Sequence, residues 1–225
     1  MALILNIETA TKNCSVSIAE NGKVLAIREL NEGNYSHAEK LHPFIQEVYN
    51  ELKIDANKID AIAVSKGPGS YTGLRIGVSA AKGLSYAIGK PLISIETLKS
   101  LAHSIEVEEG MIVPMIDARR MEVYSAVYNS SYEQKREIQA EIINEDSFKE
   151  ELLKGKVYFL GDGAAKCKEI IVHENAIFVE GKFPSSKEMA QLSYSKYKKN
   201  DIEDVAYFEP FYLKDFVAIP EKKKV

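Results

Sequence analysis

The order of strand-like and helix-like segments is the feature that most constrains how this chain can fold. Two apolar runs, residues 3–7 and 14–18, are followed by a third strand-like run over 23–30. The Asn21-Gly22 pair between the last two is the strongest short-range signal for a β-hairpin, since both residues tolerate positive φ. The complete order β-β-β-α-β-α-β-α then recurs after roughly one hundred residues.

The first half completes this order with alternating helices and strands. Residues 36–52 have an apolar period near 3.6, and Ser36 is placed to cap that helix. Its predicted apolar stripe is Ala38, Leu41, Ile45, Val48, Tyr49 and Leu52. We then expect a strand over 61–65, a helix over 74–88, a strand over 92–95 and a helix from residue 97.

The second half repeats the pattern. The predicted elements are strands over 111–116, 122–128 and 137–142, a helix over 146–153, a strand over 157–160, a helix from about 164, a strand over 176–179 and a helix over 186–198. Two copies of one α/β order predict two similar lobes with a cleft between them.

This is the architecture of the actin, hexokinase and heat-shock ATPase superfamily. The expected division is an N-terminal lobe over 1–106, a C-terminal lobe over 107–205 and an extended tail over 206–225. Pro210 and Pro220 disfavour regular structure in that tail, and Lys222 to Lys224 read as a solvated end.

Composition narrows the class of protein. The chain is 45% hydrophobic and carries a formal net charge of -4, which predicts a real core and disfavours nucleic-acid binding by a global positive field. The two cysteines, Cys14 and Cys167, form no disulfide framework and no zinc motif, and are interpreted as small buried hydrophobes. With neither a signal segment nor an apolar run long enough for a bilayer, we expect a soluble cytoplasmic protein.

A glycine-rich segment, residues 66–75, joins the predicted strand over 61–65 to the helix over 74–88. Exposed amides at a helix N-terminus can bind an anion, so Gly67, Gly69 and Arg75 are candidate anion or nucleotide contacts. The Walker A spacing is absent. A tight strand-to-helix turn that needs glycine is the alternative.

The helix over 74–88 has few charges and a narrow polar stripe of Arg75, Ser79, Lys82 and Tyr86. A helix so widely apolar is buried on most sides, either in this chain's core or against another chain. The spacing of Gly73, Gly77 and Ala81 by four residues would let a second helix approach closely.

The segment over 4–11 lies where this superfamily binds the terminal phosphates of a nucleotide. A phosphotransferase needs an acidic residue there, and Asn6 cannot serve whereas Glu8 could. Glu8, Thr9 and Thr11 are therefore candidate nucleotide contacts, and an ordinary polar turn is the alternative.

These segments resemble the TsaB (YeaZ) family, the dimerisation subunit of the bacterial complex that makes threonylcarbamoyladenosine in tRNA. The resemblance is carried by residues 4–11, by Gly-Pro-Gly-Ser-Tyr-Thr-Gly-Leu-Arg-Ile-Gly-Val over 67–78, and by Ala-Ala-Lys-Gly-Leu over 80–84. Residues 117–124 and 210–214 match less distinctive parts of the family.

The resemblance implies a non-catalytic scaffold that forms a heterodimer with TsaD, the catalytic paralogue, and onto which a P-loop ATPase, TsaE, docks. It also implies that the chain has no cofactor of its own and that ATP or ADP binds, if at all, at the surface shared with the partner. The chain would contact tRNA only through the complex, and the isolated chain could form a homodimer. Contact with TsaD would use the helices over 36–52 and 74–88. The corresponding partner-binding residues are Ala38, Leu41, Ile45, Gly73, Gly77, Ala80, Ala81 and Leu84.

The catalytic paralogue holds a metal with two histidines, and the matching positions here are Thr97 and Leu101. Neither side chain binds a divalent metal well, so no metal site is expected. The four histidines (His37, His42, His103 and His173) are read as surface or helix-end residues. Two alternatives stay open: an ATP-dependent phosphotransferase of the same superfamily, and a peptidase, which lacks a recognisable motif.

Overall fold

The computed structural model describes residues 1–31 and 37–214. The first lobe comprises β1 Leu3–Glu8, β2 Cys14–Glu20, β3 Lys23–Leu30, α1 His37–Leu52, β4 Ala61–Gly67, α2 Tyr71–Ile88, β5 Leu92–Glu96 and α3 Thr97–Ala102. The second comprises β6 Met111–Asp117, β7 Glu122–Asn129, β8 Gln134–Ile142, α4 Lys149–Lys154, β9 Val157–Leu160, β10 Ala176–Val179 and α5 Ser186–Lys198.

The two lobes have the same sheet topology. Their strand orders are β3-β2-β1-β4-β5 and β10-β9-β6-β7-β8, which are the same arrangement when one is read in reverse. In each sheet the first three strands are antiparallel, and the two later strands run parallel to the first. The two-lobe α/β fold predicted from the element order is therefore confirmed.

Some predicted elements are corrected by the structure. The helix expected from about residue 164 is only a 3-10 turn, Ala165–Cys167, whose N-terminal end has no side-chain cap. Helix α2 begins at Tyr71, three residues earlier than predicted, since Ser70 caps it by accepting a bond from the Gly73 amide at 3.3 Å. The Ser36 cap lies outside the described residues.

Alternating residues of β1 face two different layers. Leu5 and Ile7 are buried in the main core, with α1 and α2 on that face of the first sheet. Ile4 points to the other face, where it is buried with Met189 of α5. The first sheet is thus covered by helices on both faces, which explains why β1 and β4 are almost wholly buried.

The last helix of each half covers the sheet of the other half. Leu98 and Leu101 of α3 pack with Ile112 and Tyr128 of the second lobe, whereas α5 packs on the first sheet. The predicted boundary near residue 106 separates the two sheets, but α5, assigned by sequence to the C-terminal lobe, lies on the first one. This exchange ties the lobes together through apolar burial.

The tail returns to the first lobe and contains no helix over residues 206–214. The Glu203 amide donates to the Leu92 carbonyl oxygen at 2.8 Å, and the Phe211 amide donates to that of Lys66 at 2.7 Å. Phe208 packs against the first core. Among the described residues, no helix is both long and apolar enough to cross a bilayer.

Candidate functional site

A cleft of about 860 Å³ lies between the two lobes. Its walls come from the β1–β2 connection, the glycine-rich segment, the β6–β7 turn and the tail. The lining residues are Ala10, Thr11, Lys12, Asn31, Pro68, Gly69, Ser70, Tyr71, Thr72, Ile116, Asp117, Ala118, Arg119, Tyr124, Asp162, Phe183, Phe211, Tyr212, Leu213 and Lys214.

The glycine-rich segment packs tightly against the β1–β2 connection. The Ser70 amide donates to the Ala10 carbonyl oxygen at 2.7 Å. A β-carbon on Gly69 would lie 2.4 Å from that same oxygen, so only glycine fits. At Gly67, φ is +111° and the amide donates to Thr97 Oγ1 at 3.2 Å. These contacts support the tight-turn interpretation, and anion contact by Gly67 and Gly69 stays a prediction.

Glu8 is fully buried and is not among the residues that line the cleft. Its Oε1 accepts bonds from the Ser65 hydroxyl and the Ala10 amide, both at 2.7 Å, while Oε2 is buried without a hydrogen-bond partner. Burial raises the pKa of Glu8 to about 7, although those hydrogen bonds oppose the rise. The structure thus places Glu8 in the interior beneath α5 and away from the cleft.

The other two candidates on this connection also have internal partners. Thr9 is fully buried, and its hydroxyl donates to the Gly73 carbonyl oxygen at 2.8 Å. Thr11 reaches the cleft wall, but it is almost fully buried and its carbonyl oxygen lies 2.7 Å from His37 Nε2. The expectation that His37 is a surface residue is therefore wrong: it lies in the core, and burial lowers its pKa.

Arg75 is exposed at the edge of the tail. Its Nε donates to the Tyr212 hydroxyl at 3.2 Å, and its guanidinium carbon lies 4.1 Å from the centre of the Tyr71 ring. The Tyr71 and Tyr212 rings are 4.9 Å apart. Arg75 therefore fastens the tail to the start of α2, and contact with a nucleotide stays a prediction.

Sequence reasoning missed several charged residues of the cleft. Lys12 and Arg119 come from opposite lobes, and neither has an ion pair within the described part of the chain. Asp117 is paired with Lys166, and Asp162 accepts a bond from the Asp117 amide at 3.0 Å. Partial burial is the main cause that raises the pKa of Asp162. With tyrosines on both walls, the cleft has the chemistry to admit an anionic aromatic ligand.

The polar segment over 117–120, between two predicted strands, is the sequence feature that could have indicated this part of the cleft. Arg119 and Arg120 both have positive φ, 71° and 51°, in the turn between β6 and β7. Positive φ at a non-glycine residue costs conformational free energy, and residues in this conformation cluster at functional sites. The rest of the lobe therefore has to stabilise this turn.

Most of the predicted partner-binding residues are buried within this chain. Leu41, Ile45, Gly73, Gly77 and Ala81 belong to its own interior. They present little or no surface in this chain, so their contact with a partner stays a prediction that the burial does not support.

Ala38 is exposed, and the buried stripe of α1 begins at His37 instead. Ala80 and Leu84 are half-buried and retain some surface. Beside them, Gly83, Tyr86 and Ala87 are exposed. Gly83, Tyr86 and Ala87 thus form an uncovered patch in the C-terminal half of α2, in addition to the exposed Thr72, Arg75 and Ser79 of its N-terminal half.

The positions matched to metal ligands have structural roles. Thr97 is fully buried and accepts the Gly67 amide bond, and Leu101 is fully buried in the core of the second lobe. Over residues 1–31 and 37–214, no group of three His, Cys, Asp or Glu side chains is arranged to hold a metal ion. Both cysteines are free and buried as predicted, and burial raises the pKa of each thiol to about 11.

Comparisons with known proteins agree with this fold. A family model described as TsaD, tRNA N6-adenosine threonylcarbamoyltransferase, matches residues 31–221. The tRNA threonylcarbamoyladenosine biosynthesis protein TsaB of Escherichia coli K12 is 29% identical over 96% of both chains. TsaB of Bacillus subtilis 168 is 28% identical over 94% of this chain and 93% of its own.

Two solved structures from Pseudomonas aeruginosa share the fold over 95% of this chain and 100% of their own. One is described as an uncharacterized protein with similarity to peptidase YEAZ, with a TM-score of 0.81 and 23% identity. The other is YeaZ, with a TM-score of 0.77 and 22% identity. By the family model, the full-length relatives and the shared two-lobe fold, this chain belongs to the TsaB (YeaZ) family, within the wider group that the TsaD model describes.

Proposed function

We propose that this chain is a non-catalytic subunit in the biosynthesis of threonylcarbamoyladenosine in tRNA, on the adenosine next to the anticodon. In that role it binds and activates a TsaD-type transferase. The names of its full-length relatives support the pathway. The observation that carries the subunit role is the uncovered face of α2, where Tyr86 is 84% exposed beside Gly83 and Ala87.

That face is suited to another protein because α2 carries no carboxylate. Ala80 and Leu84 are half-buried against the core of the first lobe, so a partner would complete the burial that this chain leaves open on one side. A joint surface of this kind could also hold ATP or ADP, dock a TsaE-type ATPase, or pair two copies of the isolated chain.

Catalysis by this chain alone has less support. Asn6 and Glu8, the β1 residues of interest for phosphoryl transfer, are fully buried beneath α5. A cysteine peptidase would need a reactive thiolate, and both thiols are buried with raised pKa values.

The test compares the chain, a TsaD-type transferase and their mixture. We expect the two proteins to co-elute in size-exclusion chromatography with light scattering, and only the mixture to transfer threonylcarbamoyl from its adenylate to tRNA. Transfer by the chain alone would refute the non-catalytic role. A transferase that is equally active without the chain, and does not co-elute with it, would refute the subunit role.

A further inference from the structure

A second groove, of about 670 Å³, lies at the end of the first sheet opposite the glycine-rich segment. It is formed where β1, β4 and β5 begin and where α5 ends. The lining residues are Met1, Ala2, Asn21, Asp60, Lys90, Pro91, Tyr194, Tyr197, Lys198, Asn200 and Ile202. It adjoins the α5 face of the sheet, and Lys90 and Pro91, which follow the C-terminal end of α2, form part of its wall.

Aromatic and apolar side chains form one wall of the groove. Tyr194 and Tyr197 are three residues apart on α5 and therefore share a face of that helix. Both are half-buried against the apolar cluster around Met189, which fixes the helix that carries the rings. Ile202, which is 43% exposed, extends the wall. Such a wall offers flat surfaces on which planar groups can stack.

Positive charge predominates among the side chains that line the groove, with two lysines and one carboxylate. Lys90 and Lys198 form no ion pair within the described residues, and the Lys198 ammonium lies 4.9 Å from the centre of the Tyr194 ring. The carboxylate, Asp60, accepts the Leu3 amide bond at 2.8 Å through Oδ2.

We propose that this groove binds a short single-stranded segment of RNA. Bases would stack on Tyr194 and Tyr197, and phosphates would lie near Lys90 and Lys198. Proteins bind single strands through this combination of aromatic platforms and unpaired cations. An acidic peptide would use the lysines but has no planar groups for the tyrosines. The proposal rests on the proposed role in tRNA modification and adds a direct RNA contact made by this chain.

The test is fluorescence anisotropy of a labelled single-stranded RNA octamer titrated with the full chain at low salt. We expect Lys90→Glu with Lys198→Glu to weaken binding by about tenfold or more, because phosphate contacts are lost. Tyr197→Leu, which keeps an apolar side chain but removes the ring, should weaken it by about fivefold. The matched control is Lys53→Glu with Lys154→Glu, two exposed lysines that do not line the groove, which should change binding by less than about twofold.

Three outcomes would overturn the proposal. The unmodified chain does not bind the RNA, or the control pair of substitutions weakens RNA binding as much as Lys90→Glu with Lys198→Glu does. In the third outcome, a glutamate octapeptide displaces the labelled RNA as well as unlabelled RNA does and Tyr197→Leu has no effect on binding, which would identify an acidic-peptide site instead. Co-elution of Lys90→Glu/Lys198→Glu with the transferase is measured in parallel. If the doubly substituted chain co-elutes with the transferase and binds RNA as tightly as the unmodified chain, only the groove proposal fails. If the unmodified chain itself does not co-elute with the transferase, the result counts against the subunit role.

Discussion

Thr9 and Gly73 are in contact through both backbone and side chain. The Thr9 hydroxyl donates to the Gly73 carbonyl oxygen at 2.8 Å, and a β-carbon on Gly73 would lie only 2.1 Å from the Thr9 carbonyl oxygen. One turn later, a β-carbon on Gly77 would lie 2.1 Å from the Thr9 hydroxyl oxygen. The small residues of α2 therefore let the helix approach the β1–β2 connection of the same chain.

Gly73→Ala should lower the free energy of unfolding by roughly 1–3 kcal/mol, because the new methyl group meets backbone that cannot move away. Gly83→Ala is the matched control on the same helix, since no atom lies within 4 Å of its β-carbon position. There the helix gains propensity, and stability should rise by about 0.5–1 kcal/mol. Urea unfolding measures both, and equal shifts of the same sign would contradict this account.

Gly83→Arg should weaken binding to the transferase by about tenfold or more while leaving the chain folded, because a long charged side chain fits the open position but disrupts an apolar interface. Val172→Arg, at a residue 83% exposed in the second lobe, is the control and should bind as the unmodified chain does. Light scattering of the mixture and a thermal melt of each variant provide the measurement. Retained binding by Gly83→Arg would place the interface elsewhere.

Stability should fall as the pH rises from about 5 through about 7, owing to Glu8. The folded pKa of Glu8, about 7, exceeds the ordinary value of 4.5 for a glutamate carboxyl group, so between these pH values the folded chain holds a proton that the unfolded chain has released. The stabilising contribution of the Glu8 proton is complete below the lower pKa and is lost above the higher one, with a magnitude on the order of 3 kcal/mol.

Glu8→Gln should remove this slope, since glutamine keeps an oxygen for the Ser65 and Ala10 bonds and carries no charge. Urea unfolding at several pH values between 5 and 8 measures the effect. The exposed Glu150→Gln is the control and should leave the slope in place. If Glu8→Gln shows the same pH dependence as the unmodified chain, another group is responsible.

Met189→Ala should lower the free energy of unfolding by about 2–5 kcal/mol, although Met189 lies in the last helix of the chain. Its side chain is fully buried among Ile4, Ala63 and Ile93 of the first sheet, so the substitution leaves a cavity there. Lys187→Ala, on the exposed side of α5, should change stability by less than about 0.5 kcal/mol. A cost as small as that of Lys187→Ala would show that α5 does not hold the lobes together.

Much of the fold could be predicted because its signals are local. The Asn21-Gly22 turn, the alternation in β1 and β2 and the apolar period of α1 each act within a few residues. The start of α2 is predicted three residues late because the capping signal of Ser70, which is also local, lies inside the glycine-rich turn. Of the candidate site residues, Glu8 and Thr9 immediately precede the part of the β1–β2 connection that lines the cleft, but their own side chains turn into the interior.

The amino-acid sequence by itself determined the order of strands and helices, the burial of Cys14 and Cys167, and the lack of metal-binding side chains at 97 and 101, because these depend on residue type and short-range pattern. Tertiary structure alone decided which sheet α5 covers and what the glycines of α2 approach. Small residues spaced four apart on a helix predict that another group approaches that face closely. The sequence does not distinguish whether this group is Thr9 of the same chain or a helix of another chain, and the folded structure shows that it is Thr9.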